Sequence, residues 1–357
     1  MSAGKKLCSI TSAVTLALLA SSAIADLKPI ESGKDWFDNR GKLINAHEGT
    51  FFQAEDTYYW IGQDRTKNSN LFNAFNCYSS TDLTTWTFEN QVMTSKRNTE
   101  LPSDVIIARP KMIYNPLTDS FVLWFKYRRP GGIAPNMRAG VASSDTPCGD
   151  YNVESVFFPT VDRVAHYAGD NSLYEDENGK GYYVLSSIGE LKDGEMGTLA
   201  AGKNMRRLKI FELTPDFRDV EKLVYEFPVE KVHVEQKEAP GIVKMGDTYV
   251  LFASGTMGWE PNQQQYSTAP AITGPWSPWK NIGDKTTYRS QTASIIPVVG
   301  DKQTTYIYAG DRHEADNLID SRYVWLPIQA GENGDLTLKW IDQWTIDTKT
   351  GEWLITQ

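Results

Sequence analysis

The sequence predicts an all-β protein folded as a five-bladed β-propeller, and the main evidence is internal repetition. A short aromatic strand recurs five times, with anchors at Tyr58, Phe121, Tyr182, Tyr249 and Tyr306. Successive anchors lie 57 to 67 residues apart. A repeat of this length that contains several short strands is typical of a propeller, in which each repeat forms one blade.

A second observation is the polar residue at the head of each repeat's first strand. These residues are Glu48, Arg109, Asp170, Glu238 and Gln291. Because the innermost strands of a propeller surround its axis, side chains at matching positions should converge. The sequence therefore predicts one axial pocket lined by all five.

The elements follow in chain order. Residues 26–44 are expected to form a lead-in strand and loop, and the units then begin near Asn45, Ala108, Asp170, Glu238 and Gln291. Apolar alternation and turn sequences such as 115–119 and 176–180 fit strands better than helices. Residues 336–340 and 344–346 are expected to complete the last blade.

The length of the chain indicates how many domains it forms, and its net charge excludes some classes of partner. Five repeats use nearly all of the 357 residues, so we expect one domain over residues 26–357. The net charge is −9 and no basic run occurs, which argues against nucleic acid or an anionic membrane surface as a partner.

Residues 1–25 have the pattern of a signal peptide. Lys5 and Lys6 precede a short apolar stretch, and Ala23-Ile24-Ala25 fits a cleavage site. We therefore expect export to the periplasm or the medium. The mature chain keeps Cys77 and Cys148, which could form a disulfide or remain two buried thiols.

Three of the converging residues are carboxylates, the groups that cleave glycosidic bonds. One carboxyl protonates the leaving oxygen and another activates water, roughly 6.5–9.5 Å away in inverting enzymes. A third carboxylate can raise the pKa of the acid by like-charge repulsion. A single carboxylate at a strand end is more often solvated or salt-bridged, but Glu48, Asp170 and Glu238 at matching positions favour a site.

Other residues suit sugar binding, each with a structural alternative. Arg109 could bind hydroxyls or hold a carboxylate in a structural ion pair. Trp259 could be a sugar platform or pack within a blade. His47 and His313 could bind sugar or water, although a lone histidine is more often structural. Gln291 could orient a water or a hydroxyl.

A series of short motifs also runs in order along almost the whole mature chain. They are Ala46-His47-x-Gly49, Tyr58-Tyr59-Trp60-x-Gly62, Arg109-Pro110-Lys111, Asp170-x-Ser172-Leu173, Glu238-Ala239-Pro240, Gly258-Trp259-x-Pro261-Asn262, Ser290-Gln291, Gly310-Asp311-Arg312 and Ser321-Arg322-Tyr323-Val324-Trp325. This series resembles glycoside hydrolase family 43, and within it the exo-β-1,3-galactanases (galactan 1,3-β-galactosidases). The resemblance implies a five-bladed propeller and inverting hydrolysis.

The resemblance also implies roles for single residues. Glu238 matches the family's general acid, and Asp170 matches the aspartate that tunes this acid and holds substrate. Gln291 matches a glutamine that takes over from the base in the galactanase branch. The residues expected to bind substrate are Arg109, Trp259, Asn262, His47, His313 and Arg322.

The chain departs from the galactanase pattern at three positions. Glu48 stands where galactanases have glycine and other members have the base, Ala108 replaces a glutamate, and His313 stands where tryptophan is common. Glu48 lies ten residues before the anchor Tyr58, and Glu238 lies eleven residues before the anchor Tyr249. This similar spacing predicts that both side chains point into the axial pocket. We therefore expect Glu48 to be the base and Gln291 only to orient the water or the sugar.

Together these inferences predict a monomeric, exported exo-glycosidase that releases galactose from plant or algal galactan-type polysaccharides or oligosaccharides. The alternatives are an α-L-arabinofuranosidase or β-xylosidase of the same family, and a non-catalytic sugar-binding propeller. No CxxC or His-rich metal spacing occurs, so no cofactor is expected to be required. A structural calcium on the axis is left open.

Overall fold

A computed structural model describes residues 27–98, 101–102, 104–129, 137–191, 206–230, 235–331 and 334–356. The expected signal peptide lies outside these residues. The described chain forms β-strands almost throughout, and its one described helix is a single 3-10 turn at Leu318–Asp320. The all-β prediction is therefore confirmed.

Most strands belong to five antiparallel sheets that follow one another along the chain. The first sheet contains β2 (His47–Ala54), β3 (Thr57–Gln63), β4 (Ala74–Ser80) and β5 (Thr87–Thr94). The second contains β6 (Ile106–Asn115), β7 (Ser120–Arg128), β8 (Met137–Ser144) and β9 (Asn152–Phe157). The third contains β10 (Thr160–Val161), β11 (Val164–Glu175), β12 (Gly181–Leu191), β13 (Arg207–Leu213) and β14 (Val220–Glu226).

The last two sheets follow the same pattern. The fourth contains β15 (Glu238–Met245), β16 (Thr248–Ser254), β17 (Gln264–Ala269) and β18 (Lys280–Ile282). The fifth contains β19 (Gln291–Val299), β20 (Thr304–Arg312), β21 (Arg322–Ala330) and β22 (Leu336–Leu338). The inner strands of each sheet, such as β16, are buried on both faces, which explains their continuous aromatic and β-branched sequences.

Consecutive sheets pack against each other through apolar clusters, and the fifth packs against the first. The first strands β2, β6, β11, β15 and β19 contact one another in that order, and β19 contacts β2. The cluster that joins the fifth sheet to the first is rich in tryptophan: Trp60, Trp86, Trp325 and Trp344 are almost completely buried there. Burial of such large aromatic surfaces stabilises the closure of the ring.

The chain ends form a sixth, separate sheet of β1 (Ile30–Glu31), β23 (Gln343–Ile346) and β24 (Trp353–Ile355). The prediction that residues 344–346 complete the last repeat is therefore wrong, because β23 pairs with β1 instead. A disulfide joins Cys77 on β4 to Cys148 in the loop after β8, and thus links the first sheet to the second. Sequence had left this pairing open.

A β-bulge interrupts the head of each first strand. The pairing shifts between His47 and Thr50 in β2, and between Glu238 and Gly241 in β15. In both strands, the first residue inside the shift has a positive φ: 54° at Glu48 and 50° at Ala239. Glu48 and Glu238 were expected to occupy the same position of the repeat, and this prediction is wrong by one residue. Glu48 corresponds to Ala239, and His47 corresponds to Glu238. A bulge adds one residue to a strand and reorients the side chains around it.

Candidate active site

Arg109 connects the polar heads of all five first strands. Its guanidinium donates to Oε1 of Gln291 and lies 3.6 Å from Asp170 and 3.7 Å from Glu48. Gln291 in turn donates from Nε2 to Oε1 of Glu238 at 3.1 Å. The structure thus brings together Glu48, Arg109, Asp170, Glu238 and Gln291 in one cluster, as the sequence predicts.

Glu238 and Asp170 have opposite electrostatic environments although they are neighbours. Burial and the negative charge of Asp170 raise the pKa of Glu238 above its usual value. Burial alone would raise the pKa of Asp170 as well, but Arg109 and Lys126 outweigh it and hold that pKa far below the usual range. Lys126 Nζ lies 2.9 Å from Asp170 Oδ1, and the backbone N–H of Ala239 donates to Oδ2 at 3.2 Å. One carboxyl is thereby suited to carry a proton and the other to stay charged.

Glu48 is held between two arginines. Oε1 lies 3.2 Å from Arg65 and 3.7 Å from Arg109, and the side chains of both arginines are nearly inaccessible. Burial would raise the pKa of Glu48, but the two cations outweigh it and the pKa falls below its usual value. The backbone N–H of Glu48 donates to Asp311, which fixes the bulge that presents the carboxylate. Glu48 is therefore ionised, as a base must be before it accepts a proton.

Gln291 has both ends of its amide engaged. The oxygen accepts from Arg109, and Nε2 donates to Glu238 and, at 3.0 Å, to Oγ of Ser254. This network fixes the orientation of the amide, because Arg109 can only donate. Gln291 therefore links Arg109 to Glu238 and lies within reach of a group bound between them.

A cavity adjoins this cluster. Its lining comprises residues 258–262 together with Arg289, Ser290, Gln291, Asp311 and His313. The rings of Trp259 and His313 lie 5.4 Å apart, and the Arg65 guanidinium lies 5.3 Å from the Trp259 ring. Aromatic faces beside fixed polar groups are suited to a sugar, which has both apolar and hydroxyl-bearing surfaces.

Arg65 determines the protonation of His313. Its Nη1 lies 2.9 Å from Nδ1 of His313, and a guanidinium cannot accept a hydrogen bond. Nδ1 must therefore be the acceptor. Burial and the charge of Arg65 also lower the pKa of His313 to about 4. His313 is neutral at pH 7, with its proton on Nε2, which lies 3.9 Å from Glu48 Oε1.

Three residues expected to bind substrate have partners within the protein, although Asn262 also lines the cavity. His47 is only 1% exposed, stacks on Tyr323 and bonds to Asp311 from Nδ1, so it supports the site from behind and the expectation of sugar contact is corrected. Asn262 accepts from the Gly255 N–H at 2.8 Å and holds the loop that carries Trp259. Arg322 forms an ion pair with Asp35 near the N-terminal lead-in.

The sequence reasoning missed several charged residues of the site. They are Arg65, Lys111, Lys126, Arg206 and Asp311. Arg206 donates to Oε2 of Glu238. Lys111 and Asp311 lie in motifs that were recognised but given no role. The other three lie outside the first strands, where the repeat gives no signal.

Lys111 occupies a position where backbone oxygens converge. Its ammonium donates to the carbonyl oxygens of Glu48 and Gly49 at 2.9 and 2.8 Å. Burial and the nearby Arg109 lower its pKa to about 7. Calcium requires six to eight oxygen ligands, whereas these oxygens already bind a cationic side chain and the nearby carboxylates are paired. Among the described residues, no group of three or more His, Cys, Asp or Glu side chains could hold a metal ion.

Comparison with known proteins identifies the family. Residues 45–311 match the family described as "Glycosyl hydrolases family 43". An exo-β-1,3-galactanase of Phanerochaete chrysosporium, solved with β-1,3-galactotriose, is 30% identical with a TM-score of 0.80, and the alignment covers 93% of this chain and 71% of that one. An exo-β-1,3-galactanase of Clostridium thermocellum is 33% identical with a TM-score of 0.79, covering 91% and 68%.

A third structure, a family 43 β-1,3-galactosidase with galactodeoxynojirimycin, is 27% identical with a TM-score of 0.76 and covers 89% of this chain and 100% of that one. No curated protein sequence matches the chain significantly. The family match spans the residues that form the charged cluster, and two solved galactanases reach 30% identity or more over nearly the whole chain. The resemblance seen in the sequence is thus confirmed, and the chain belongs to glycoside hydrolase family 43.

Proposed function

We propose that this protein is an inverting exo-glycosidase that releases galactose from β-1,3-galactan. The observation that carries the proposal is the pairing of Glu238, whose pKa is raised, with Asp170, whose pKa is held low by Arg109 and Lys126. A proton donor and a permanently charged neighbour are what protonation of a glycosidic oxygen needs. Sugar binding alone does not require this pair, so a non-catalytic propeller is disfavoured.

In the proposed reaction, Glu238 protonates the glycosidic oxygen while a water attacks the opposite face of the sugar. Glu48 accepts the proton of that water, and Gln291 orients the water or a sugar hydroxyl. The guanidinium of Arg109 and the amide of Gln291 lie between Glu48 and Glu238. A separation by two intervening groups is consistent with the wide carboxyl spacing of inverting enzymes.

We further propose that the five sheets are the blades of a five-bladed propeller. Support comes from the contact of each first strand with the next and of β19 with β2. In this arrangement the charged cluster lies at one end of the axis, because Glu48, Arg109, Asp170, Glu238 and Gln291 all come from the first strands of their sheets. Trp259 and His313 would bind the terminal sugar.

The substrate class rests on the relatives. The solved structures named above are β-1,3-galactanases or a β-1,3-galactosidase, and one was solved with β-1,3-galactotriose. We therefore propose a galactan-type polysaccharide or oligosaccharide of plants or algae as the substrate. If the protein instead acts as an arabinofuranosidase or a xylosidase, it still belongs to the same family but its substrate is not a galactan.

Export, a monomeric state and catalysis without a metal are also part of the proposal. Export rests on the signal-peptide pattern of residues 1–25, and independence from metal rests on the pairing of Lys111 and the arginines with the site's oxygens. In the described parts of the chain, no helix is long and apolar enough to cross a membrane.

The test is hydrolysis of defined β-1,3-galactan, arabinan and xylan oligosaccharides by the purified mature chain. We expect galactose alone, released one unit at a time, and its first-formed anomer should be α when followed by NMR. A chelator should leave the rate unchanged. Initial release of β-galactose would overturn inversion, and turnover only on arabinan or xylan would overturn the substrate assignment.

A further inference from the structure

The guanidinium of Arg206 contacts Glu238, the proposed acid. Arg206, which immediately precedes β13, donates from Nη1 to Oε2 of Glu238, and Gln291 donates to Oε1 at 3.1 Å. Neither a guanidinium nor an amide NH₂ can accept a hydrogen bond. Each carboxylate oxygen has two lone pairs, so the two donors leave room for a proton, but the positive charge of Arg206 on Oε2 favours the ionised form. An acid, in contrast, must act from the protonated form.

The two donors differ in how readily a substrate could displace them from Glu238. Gln291 is 9% exposed and is fixed by Arg109 on one side and Ser254 on the other. The side chain of Arg206 is 23% exposed, and among the described residues Glu238 is its only hydrogen-bond or ion-pair partner. Arg206 is therefore the donor that can be displaced without breaking the rest of the network.

We propose that Arg206 is a positioning residue that favours the ionised form of Glu238 in the free enzyme, against the effect of burial and Asp170, and is displaced from Oε2 by the glycosidic oxygen of the substrate. This inference rests on the proposed acid role of Glu238. A glycosidic oxygen is a hydrogen-bond acceptor, so Oε2 of Glu238 must carry a proton in order to donate to it. Substrate binding thus draws a proton from solvent onto Glu238. The proton then passes to the glycosidic oxygen, which leaves with the electron pair of the broken bond to the anomeric carbon.

The other charges around Glu238 do not act in the same way. The charged groups that face it are Asp170 on β11, Arg109 on β6, Lys126 on β7 and Arg206. Arg109 and Lys126 both lie close to Asp170, at 3.6 and 2.9 Å, which neutralises part of their effect. Arg206 contacts Glu238 itself. Loss of the Arg206 charge should therefore be felt mainly by the acid.

The experiment compares the pH dependence of kcat/KM, which reports the free enzyme, with that of kcat, which reports the complex. In the wild type we expect the alkaline limb of kcat to lie about one pH unit or more above that of kcat/KM. Arg206→Gln should move the kcat/KM limb upward by about 1–2 pH units, since a nearby opposite charge lowers a carboxyl pKa by about that much. The limb of kcat should stay in place, so the two limbs converge.

Two further variants serve as controls. Arg206→Lys keeps the charge and should keep the limbs apart. Arg207→Gln removes the same charge from the adjacent residue, which pairs with Glu226 instead of the acid, and should leave both limbs at the wild-type pH. A shift in Arg207→Gln as large as that in Arg206→Gln would mean a general charge effect and would overturn the inference.

Glu238→Gln separates this inference from the proposed function. If Glu238→Gln retains the alkaline limb, that limb does not belong to Glu238 and the acid role itself fails. If Glu238→Gln abolishes the limb while Arg206→Gln leaves it at the wild-type pH, the acid role stands and the role of Arg206 is refuted. A lower kcat/KM in Arg206→Gln without a limb shift would likewise refute it.

Discussion

Replacement of Glu48 by glutamine should cost both stability and turnover, and the two losses can be measured separately. The carboxylate lies 3.2 Å from Arg65 and 3.7 Å from Arg109. At an effective dielectric constant of about 20, unit charges at these separations attract by about 4–5 kcal/mol each. Much of this offsets the cost of burial, and the removal of one partner from a buried pair typically costs about 3–5 kcal/mol. In a domain of this length, that corresponds to a decrease in Tm of roughly 4–7 °C.

The sign of the pH dependence follows from the lowered pKa of Glu48. Its stabilising contribution is complete above the unfolded-state pKa of about 4.3 and is lost as the pH falls through the lower folded-state value. The Tm difference between wild type and Glu48→Gln should therefore be full at pH 7 and shrink below pH 4. Glu177→Gln is the matched control, because its pair with Lys244 is 59% exposed on the Glu177 side and solvent screens the pair, so the loss of this carboxylate should leave Tm nearly unchanged.

Turnover tests the role as base. Without a base, the rate should fall by roughly 10²–10⁴-fold. Azide needs no base, so with an aryl β-galactoside it should partly restore the rate of Glu48→Gln and yield an α-galactosyl azide. Gln291→Ala should show no such rescue. A variant that melts early but turns over normally would make Glu48 only a counter-ion for the arginines, and rescue of Gln291→Ala alone would assign the base function to Gln291.

Three further outcomes are expected. Glu238→Gln should lower activity on galactan by roughly 10²–10⁴-fold but lose less on aryl galactosides with good leaving groups, and an equal loss on both would contradict its role as acid. Asp170→Asn removes the like charge that raises the pKa of Glu238, so the alkaline limb of kcat/KM should move to lower pH; an unchanged limb would exclude Asp170 as the tuner. Cys77→Ser with Cys148→Ser should cost about 4 kcal/mol, because the disulfide closes a long loop, while kcat stays within about twofold of wild type; an unchanged Tm would show that the crosslink is not a stabilising element.

The repeat was readable from the sequence because burial on both faces forces each inner strand to be apolar and aromatic. This is why the anchors such as Tyr182 and Tyr249 mark real strands β12 and β16. The heads of the first strands were readable for the same reason, since polar residues interrupt a buried pattern near corresponding points of the repeats. Glu48, Arg109, Asp170, Glu238 and Gln291 do meet in the structure.

The errors have physical causes as well. Glu48 lies ten residues before Tyr58 and Glu238 eleven before Tyr249, and both strands carry the same bulge, so this one-residue difference places the two at adjacent positions of the repeat and not at the same one. The cations Arg65, Lys126 and Arg206 lie after β3, near the end of β7 and before β13, and nothing nearby distinguishes them from surface ion-pair residues. The contacts of these cations depend on how the separate sheets are arranged in space, and the residues next to each cation in the sequence carry no signal of that arrangement.

The short sheet of β1, β23 and β24 brings the two ends of the described chain side by side. Ile30 and Ile355 both pair with Trp344, from opposite edges of β23. With neighbouring strands about 4.8 Å apart, the ends are separated by about 10 Å. A linker of a few residues could therefore join them, and the exposed turn at Gly246–Asp247, at the opposite end of β15 from Glu238, could provide new termini. Such a circular permutant would keep every contact of the charged cluster, and proteins fused to either end of the described chain would emerge next to each other.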